Sequence, residues 1–108
     1  MKIYDTFMFF NEYDLLEIRL NILDKVVDKF VLVEANKTFN NDNKEFNYEN
    51  NKERYAKFHH KIIHIKIEDH PEFTNAWSFE HYQRNHILEG LKDIQDNDIV
   101  IIADVDEI

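Results

Sequence analysis

The chain is 108 residues long, carries 22 acidic against 13 basic side chains for a net charge of −9, and contains no cysteine. Its length admits a single domain, and a 44% hydrophobic, 14% aromatic composition supplies a core despite 32% charge, so disorder is not expected. The acidic balance excludes a binder that tracks a nucleic-acid backbone or docks on anionic lipid. The absence of cysteine excludes a disulfide scaffold, a zinc ribbon and a thiol nucleophile, and one Gly and one Pro exclude glycine-rich phosphate loops.

Residues Ile3 to Phe10 are aromatic-rich and apolar and read as a buried strand. Asn11 is a good helix N-cap with Asp14 three residues on, and Leu16, Leu20, Leu23 and Val27 then recur at helical spacing, widened by Leu15, Ile18 and Ile22. Phe30 to Ala35 is a second, β-branched strand, and the Asn-rich stretch from Asn36 to Asn51 reads as a loop before a short helix over Lys52 to Phe58. Lys61 to Ile67 is a third strand, ended by His70-Pro71. Asn75 caps a long helix predicted over Ala76 to Asp93, with Trp77, Arg84, Leu88 and Leu91 on the side that meets the sheet. After a turn at Gln95 to Asn97, Asp98 to Ala103 is a fourth strand, apolar on both faces and therefore expected to be central.

Strands alternating with helices predict an α/β fold with a parallel sheet and right-handed crossovers, in which ligands sit beyond the carboxyl ends of the strands. Those ends carry Asn11 and Glu12, then Glu34, then Glu68 and Asp69, then Asp104, Asp106 and Glu107. Carboxylates so gathered repel one another unless a divalent cation joins them, and hard oxygen ligands suit Mg²⁺ or Mn²⁺. Spacing alone does not single out Asp104-Val105-Asp106, because a second Asp-x-Asp occurs at Asp96-Asn97-Asp98. Its position after five consecutive apolar residues does. A chain this acidic, with arginine only at Arg19, Arg54 and Arg84, holds a diphosphate most readily through a metal that bridges carboxylate and phosphate.

Arg84 places a guanidinium near the sheet, where either a phosphate or the Asp104 and Asp106 cluster answers it, or Glu80 does one turn away. Glu34 interrupts an apolar strand and either bonds a ribose or base or marks where the strand meets water. Glu12 is either a ligand contact or a first-turn residue favoured by the helix dipole. The six histidines form no zinc spacing, His60 preceding the strand that holds His64, and His81 and His86 diverging on a helix.

The segments FFNEYDLLEIRL, VEANKTF, NKERYAKFHHKIIHI, AWSFEHYQRNHILEGL and DIVIIADVDEI resemble glycosyltransferase family 17 in order and spacing, across essentially the whole chain. A looser similarity to family 2 glycosyltransferases points the same way. The resemblance implies a GT-A, Rossmann-like fold of one domain, residues 1–108, forming the donor-binding part of a metal-dependent inverting glycosyltransferase. It implies a UDP-sugar donor, with UDP-N-acetylglucosamine in the characterised relatives, a glycan acceptor, and Mn²⁺ or Mg²⁺ at Asp104 and Asp106. Asp106 would be the metal ligand, Asp104 a ribose or metal–water contact, Glu34 would lie near the uridine, Arg84 near the diphosphate or the Asp-x-Asp, and Asn11 and Glu12 would line the donor site. The chain ends just after the Asp-x-Asp, before the region where such enzymes keep the acceptor pocket and catalytic base, so no base is assigned. Two rival readings are a haloacid-dehalogenase-type phosphohydrolase, which also follows an apolar strand with Asp-x-Asp, and a non-catalytic nucleotide-binding remnant. With no leader and no apolar stretch of about 18 residues, a cytoplasmic protein is expected, and an uncovered strand edge would offer a route to a homodimer.

Overall fold

The computed structural model describes residues 1–36, 45–68 and 75–105. Strand β1 spans Ile3–Met8, helix α1 Tyr13–Leu23 and strand β2 Lys29–Ala35. Helix α2, Asn47–Asn51, runs into a 3₁₀ segment over Lys52–Lys61, and strand β3 is Ile62–Ile67. Helix α3, Ala76–Asn85, continues as a 3₁₀ segment over His86–Leu91, and strand β4 is Ile99–Ile102. The four strands form one parallel sheet in the order β3-β2-β1-β4, with registers Met8↔Val33, Ala35↔Ile67 and Thr6↔Ile102 toward the carboxyl ends.

Helices flank both faces of the sheet. Leu16 and Leu20 of α1 pack with Tyr48, Tyr55 and Phe58 against Phe7, Phe30 and Leu32 on one face. On the other, Ile87, Tyr82 and Leu91 pack against Tyr4, Val31, Val33, Ala35 and Ile67. β1 and β2 alternate their residues between these two layers, so both faces of each are covered and their sequences run apolar throughout. Gly90 lies where the 3₁₀ segment crosses the sheet, and a Cβ there would sit 2.6 Å from Cγ1 of Val31. The single glycine of the chain is thus used for close helix–sheet approach.

Four expectations need correction. β4 is not central but an edge of the described sheet, with Ile99, Ile101 and Ile102 exposed. Its apolar run records a demand for cover on both faces, which α1 and α3 meet over β1 and β2 instead. The N-cap position of α1 is Glu12, without a side-chain cap, and not Asn11; the Glu12 carboxylate turns back to accept the Phe10 and Asn11 N–H groups at 3.0 and 2.8 Å. That helix stops at Leu23 and exposes Leu15, Ile18 and Ile22, so its buried face is narrower than the apolar pattern. The predicted loop ending at Asn51 in fact closes into α2 from Asn47.

The helix read through to Asp93 behaves differently again. Asn75 caps α3 by accepting the Ser78 N–H at 2.8 Å. Past Asn85 the turn tightens from 3.6 to about three residues, which rotates the phase and brings Ile87 and Gly90 inward. Leu88 and Trp77 are left outside, 70% and 69% exposed, and do not share a buried side with Leu91. Trp77 packs against His81 instead, ring centroids 4.2 Å apart with the planes tilted by 49°.

Candidate functional site

The order β3-β2-β1-β4 reverses direction between β1 and β4. β1 leads outward through β2 to β3, and the chain then crosses to the far side of β1. In open α/β sheets the crevice at such a switch point, outside the carboxyl ends, is where ligands bind. The residues that leave the sheet there are Phe9 to Glu12 after β1 and Ala103 to Val105 after β4.

Ladder bonding between the two strands ends with the Ala103 N–H on the Thr6 carbonyl at 3.1 Å. Asp104 follows, its side chain 58% exposed, while Val105 turns into the core at 2%. Arg84 on α3 reaches Asp104 Oδ1 at 3.4 Å and Glu80 Oε1 at 2.7 Å. Those bonds, Glu80 first, raise its already high pKa. Asp106, the second carboxylate of the motif, lies outside the described residues, as do Asp69 and Glu107. The other Asp-x-Asp is structural: Asp98 accepts the Gln95 and Lys2 N–H groups at 2.9 and 2.8 Å, which hold its carboxyl below the usual range.

On the β1 side, Asn11 and Glu12 line an open depression of about 490 Å³ with Tyr13, Asp14, Leu15 and Arg54. Arg54 is tied to Asp14 and Glu17 at 2.5 and 3.0 Å, and the Asn47 side chain bonds the Phe10 carbonyl. The Glu12 carboxylate therefore faces its own loop backbone as well as the depression.

Glu34 is a buried acceptor, 2% exposed. Its Oε1 takes the Tyr48 N–H at 3.0 Å, and its Oε2 takes the Glu49 N–H at 3.2 Å and lies 2.6 Å from His64 Nε2. These are N–H groups of the first turn of α2, which carry the positive end of the helix. Three of about four acceptor positions on this carboxylate are thus occupied, and at 2% exposure little of it is open to a ligand.

Tyr48 stacks on Tyr55 at 5.7 Å, and the Tyr55 hydroxyl donates to the Tyr13 carbonyl at 2.9 Å. Burial pushes both phenols from 10.0 to about 12, helped at Tyr48 by Glu34. The folded chain thus holds two protons that the unfolded chain releases above pH 10. Stability is expected to be unaffected by these phenols below pH 10 and to fall as pH rises from 10 to 12, by on the order of 1 kcal/mol per phenol once solvent screening is allowed for. Denaturant midpoints against pH, compared with tyrosinate absorbance, check this.

Sequence reasoning missed one feature. Asp5 in the middle of β1 and Arg19 in the middle of α1 are 0% and 1% exposed and form a two-pronged ion pair, Nε to Oδ2 at 2.7 Å and Nη2 to Oδ1 at 2.6 Å. The remaining Nη1 donates to the Asp104 carbonyl at 3.0 Å and the Val105 carbonyl at 3.4 Å. The signal was present: an acid inside an apolar strand, and a base three residues from Leu16 on the buried face of the next helix.

The strand order, the two helical layers and the carboxyl-end site define a Rossmann-like α/β protein. Comparison with known proteins then narrows the class. The family described as Glycosyltransferase family 17 matches residues 1–108, and the chain belongs to it. It is 26% identical over 106 residues to the beta-1,4-mannosyl-glycoprotein 4-beta-N-acetylglucosaminyltransferases of Homo sapiens and of Rattus norvegicus, covering 91% of this chain. The match covers 20% of each of those relatives, so the chain spans about a fifth of their length. No solved structure matches it. Among the described residues, no helix is long and apolar enough to cross a membrane.

Proposed function

We propose that the chain forms the donor-binding part of a metal-dependent inverting glycosyltransferase that passes a sugar, N-acetylglucosamine from UDP-N-acetylglucosamine, to a glycan hydroxyl. The observation that carries this is the placement of Asp104 at the switch point, exposed beyond an edge strand and facing Arg84. Family membership and the names of the two relatives support it.

The donor set suits the metal. Among the described residues Asp104 offers one carboxylate, and no cluster of three or more His, Asp or Glu side chains comes together there. Mg²⁺ and Mn²⁺ commonly take one or two carboxylates and fill the rest of the shell with water and substrate phosphate. Asp104 and Asp106 would hold the ion, whose chemistry is to neutralise charge on the departing diphosphate. Arg84 places a second positive group beside that charge. Asn11 and Glu12 border the crevice on the β1 side, and Glu34 orients the first turn of α2 nearby. The acceptor hydroxyl would attack the anomeric carbon from the face opposite the diphosphate while the bond from that carbon to the diphosphate oxygen breaks, with inversion, its proton passing to a general base to which no residue of this chain is assigned.

Thermal unfolding with UDP and Mn²⁺ tests the reading. With UDP at ten times its dissociation constant, stabilisation of about 1.4 kcal/mol is expected, or roughly 6–10 °C. It should require both components and vanish in Asp106→Ala. Equal stabilisation by metal and simple phosphate esters, without preference for uridine, sinks this reading in favour of a phosphohydrolase. Binding of UDP and Mn²⁺ with neither transfer nor donor hydrolysis selects a non-catalytic nucleotide-binding role.

A further inference from the structure

The buried Asp5–Arg19 pair does something that an apolar pair in its place could not. Both side chains are removed from water in the layer between α1 and the sheet, with the guanidinium carbon 5.3 Å from the centre of the Phe7 ring. Taking two charges out of water is costly, and well-packed apolar residues in such a place commonly give an equal or more stable fold. Stability alone therefore does not account for the pair.

The geometry points to a use. One edge of the guanidinium, Nε and Nη2, is spent on Asp5, which fixes its plane, and the remaining Nη1 donates to two successive carbonyls, those of Asp104 and Val105. The contact begins where the sheet stops restraining the chain: the Ala103 N–H still bonds Thr6, and the next two carbonyls pass to Arg19. β4 has β1 alone as a neighbour in the described sheet, so this restraint from the α1 side is not duplicated by a second strand. With both carbonyls and the Val105 side chain turned inward, the Asp104 side chain is directed outward toward Arg84.

We infer that Arg19, oriented by Asp5, is a positioning residue that locks the backbone of Asp104 and Val105 and so aims the Asp104 carboxylate into the switch-point crevice. The inference rests on the metal-binding reading above and adds what holds that site in shape. Lysine is a poor substitute, because a single ammonium cannot keep two bonds to Asp5 and still present a fixed donor to both carbonyls.

The test separates folding from site geometry. The double variant Asp5→Leu/Arg19→Met replaces the pair with apolar side chains, and Mn²⁺ affinity is read from the free-ion electron paramagnetic resonance signal. The expected result is a denaturant midpoint equal to or above that of the wild type, with Mn²⁺ bound at least tenfold more weakly. The single variant Arg19→Lys keeps the charge and decides the matter should the double variant not fold; weakening of at least threefold is expected. Wild-type affinity in a folded variant overturns the clamp. A wild-type chain that binds no Mn²⁺ overturns the metal reading itself, a different outcome from a wild type and variant that bind equally well.

Discussion

Replacing Arg19 alone with alanine is expected to lower the free energy of unfolding by about 3–5 kcal/mol. Truncation leaves the Asp5 carboxylate charged, 0% exposed and stripped of both guanidinium bonds, and leaves the Asp104 and Val105 carbonyls without their Nη1 donor. The loss is dominated by the uncompensated buried charge, which is why the single change should be far worse than exchanging both partners for apolar residues. Domains of this size are stable by roughly 5–15 kcal/mol in total, so the variant should sit near the edge of folding. Arg54 is the control: its bonds to Asp14 and Glu17 lie in water, and Arg54→Ala should leave the midpoint within experimental error. Unfolding is best followed by circular dichroism, since Trp77 is 69% exposed and its fluorescence reports little on the core.

Glu34→Ala is expected to cost about 3 kcal/mol, because several buried donors lose a charged acceptor at once. The Tyr48 and Glu49 N–H groups and His64 all converge on this carboxylate, which joins the end of β2 to the start of α2 and to β3. The damage should be local before it is global. Amide exchange should accelerate through Asn47 to Lys61 at denaturant concentrations where β1 and β2 remain protected. Glu34→Gln keeps one oxygen acceptor and is expected to lose about half as much. A glutamine variant as unstable as the alanine one would show that the negative charge at the first turn of α2, and not the acceptor geometry, is what counts.

Much of the architecture is written in short stretches of chain. All four strands lie within two residues of their predicted bounds, because a β-branched or aromatic run bounded by polar residues is a local signal. The Asn75 cap is equally local, its acceptor and donor being three residues apart. Helix faces were less legible. In α1 the apolar pattern is wider than the buried face, and in α3 the shift to a 3₁₀ turn after Asn85 moves Leu88 outside and Ile87 in. Neither change is marked by a proline or a glycine at the point where it happens; packing against the sheet decides it.

The alternation of strands and helices, the acidic carboxyl ends and the family resemblance can be read from the chain alone, since each is carried by residues close together or in a fixed order along it. The −9 charge and the scarcity of arginine are likewise properties of the sequence alone. Only the tertiary structure decided the sheet order, with β4 at the edge beside β1. It alone showed Glu34 bonded to α2 and His64, and Arg19 joined to Asp5 across 14 residues and to Asp104 across 85. One cause underlies both of these buried-charge contacts. A buried charge takes whichever partner the fold brings within about 3 Å, and sequence patterns report the tendency to be buried but not the neighbour that burial supplies.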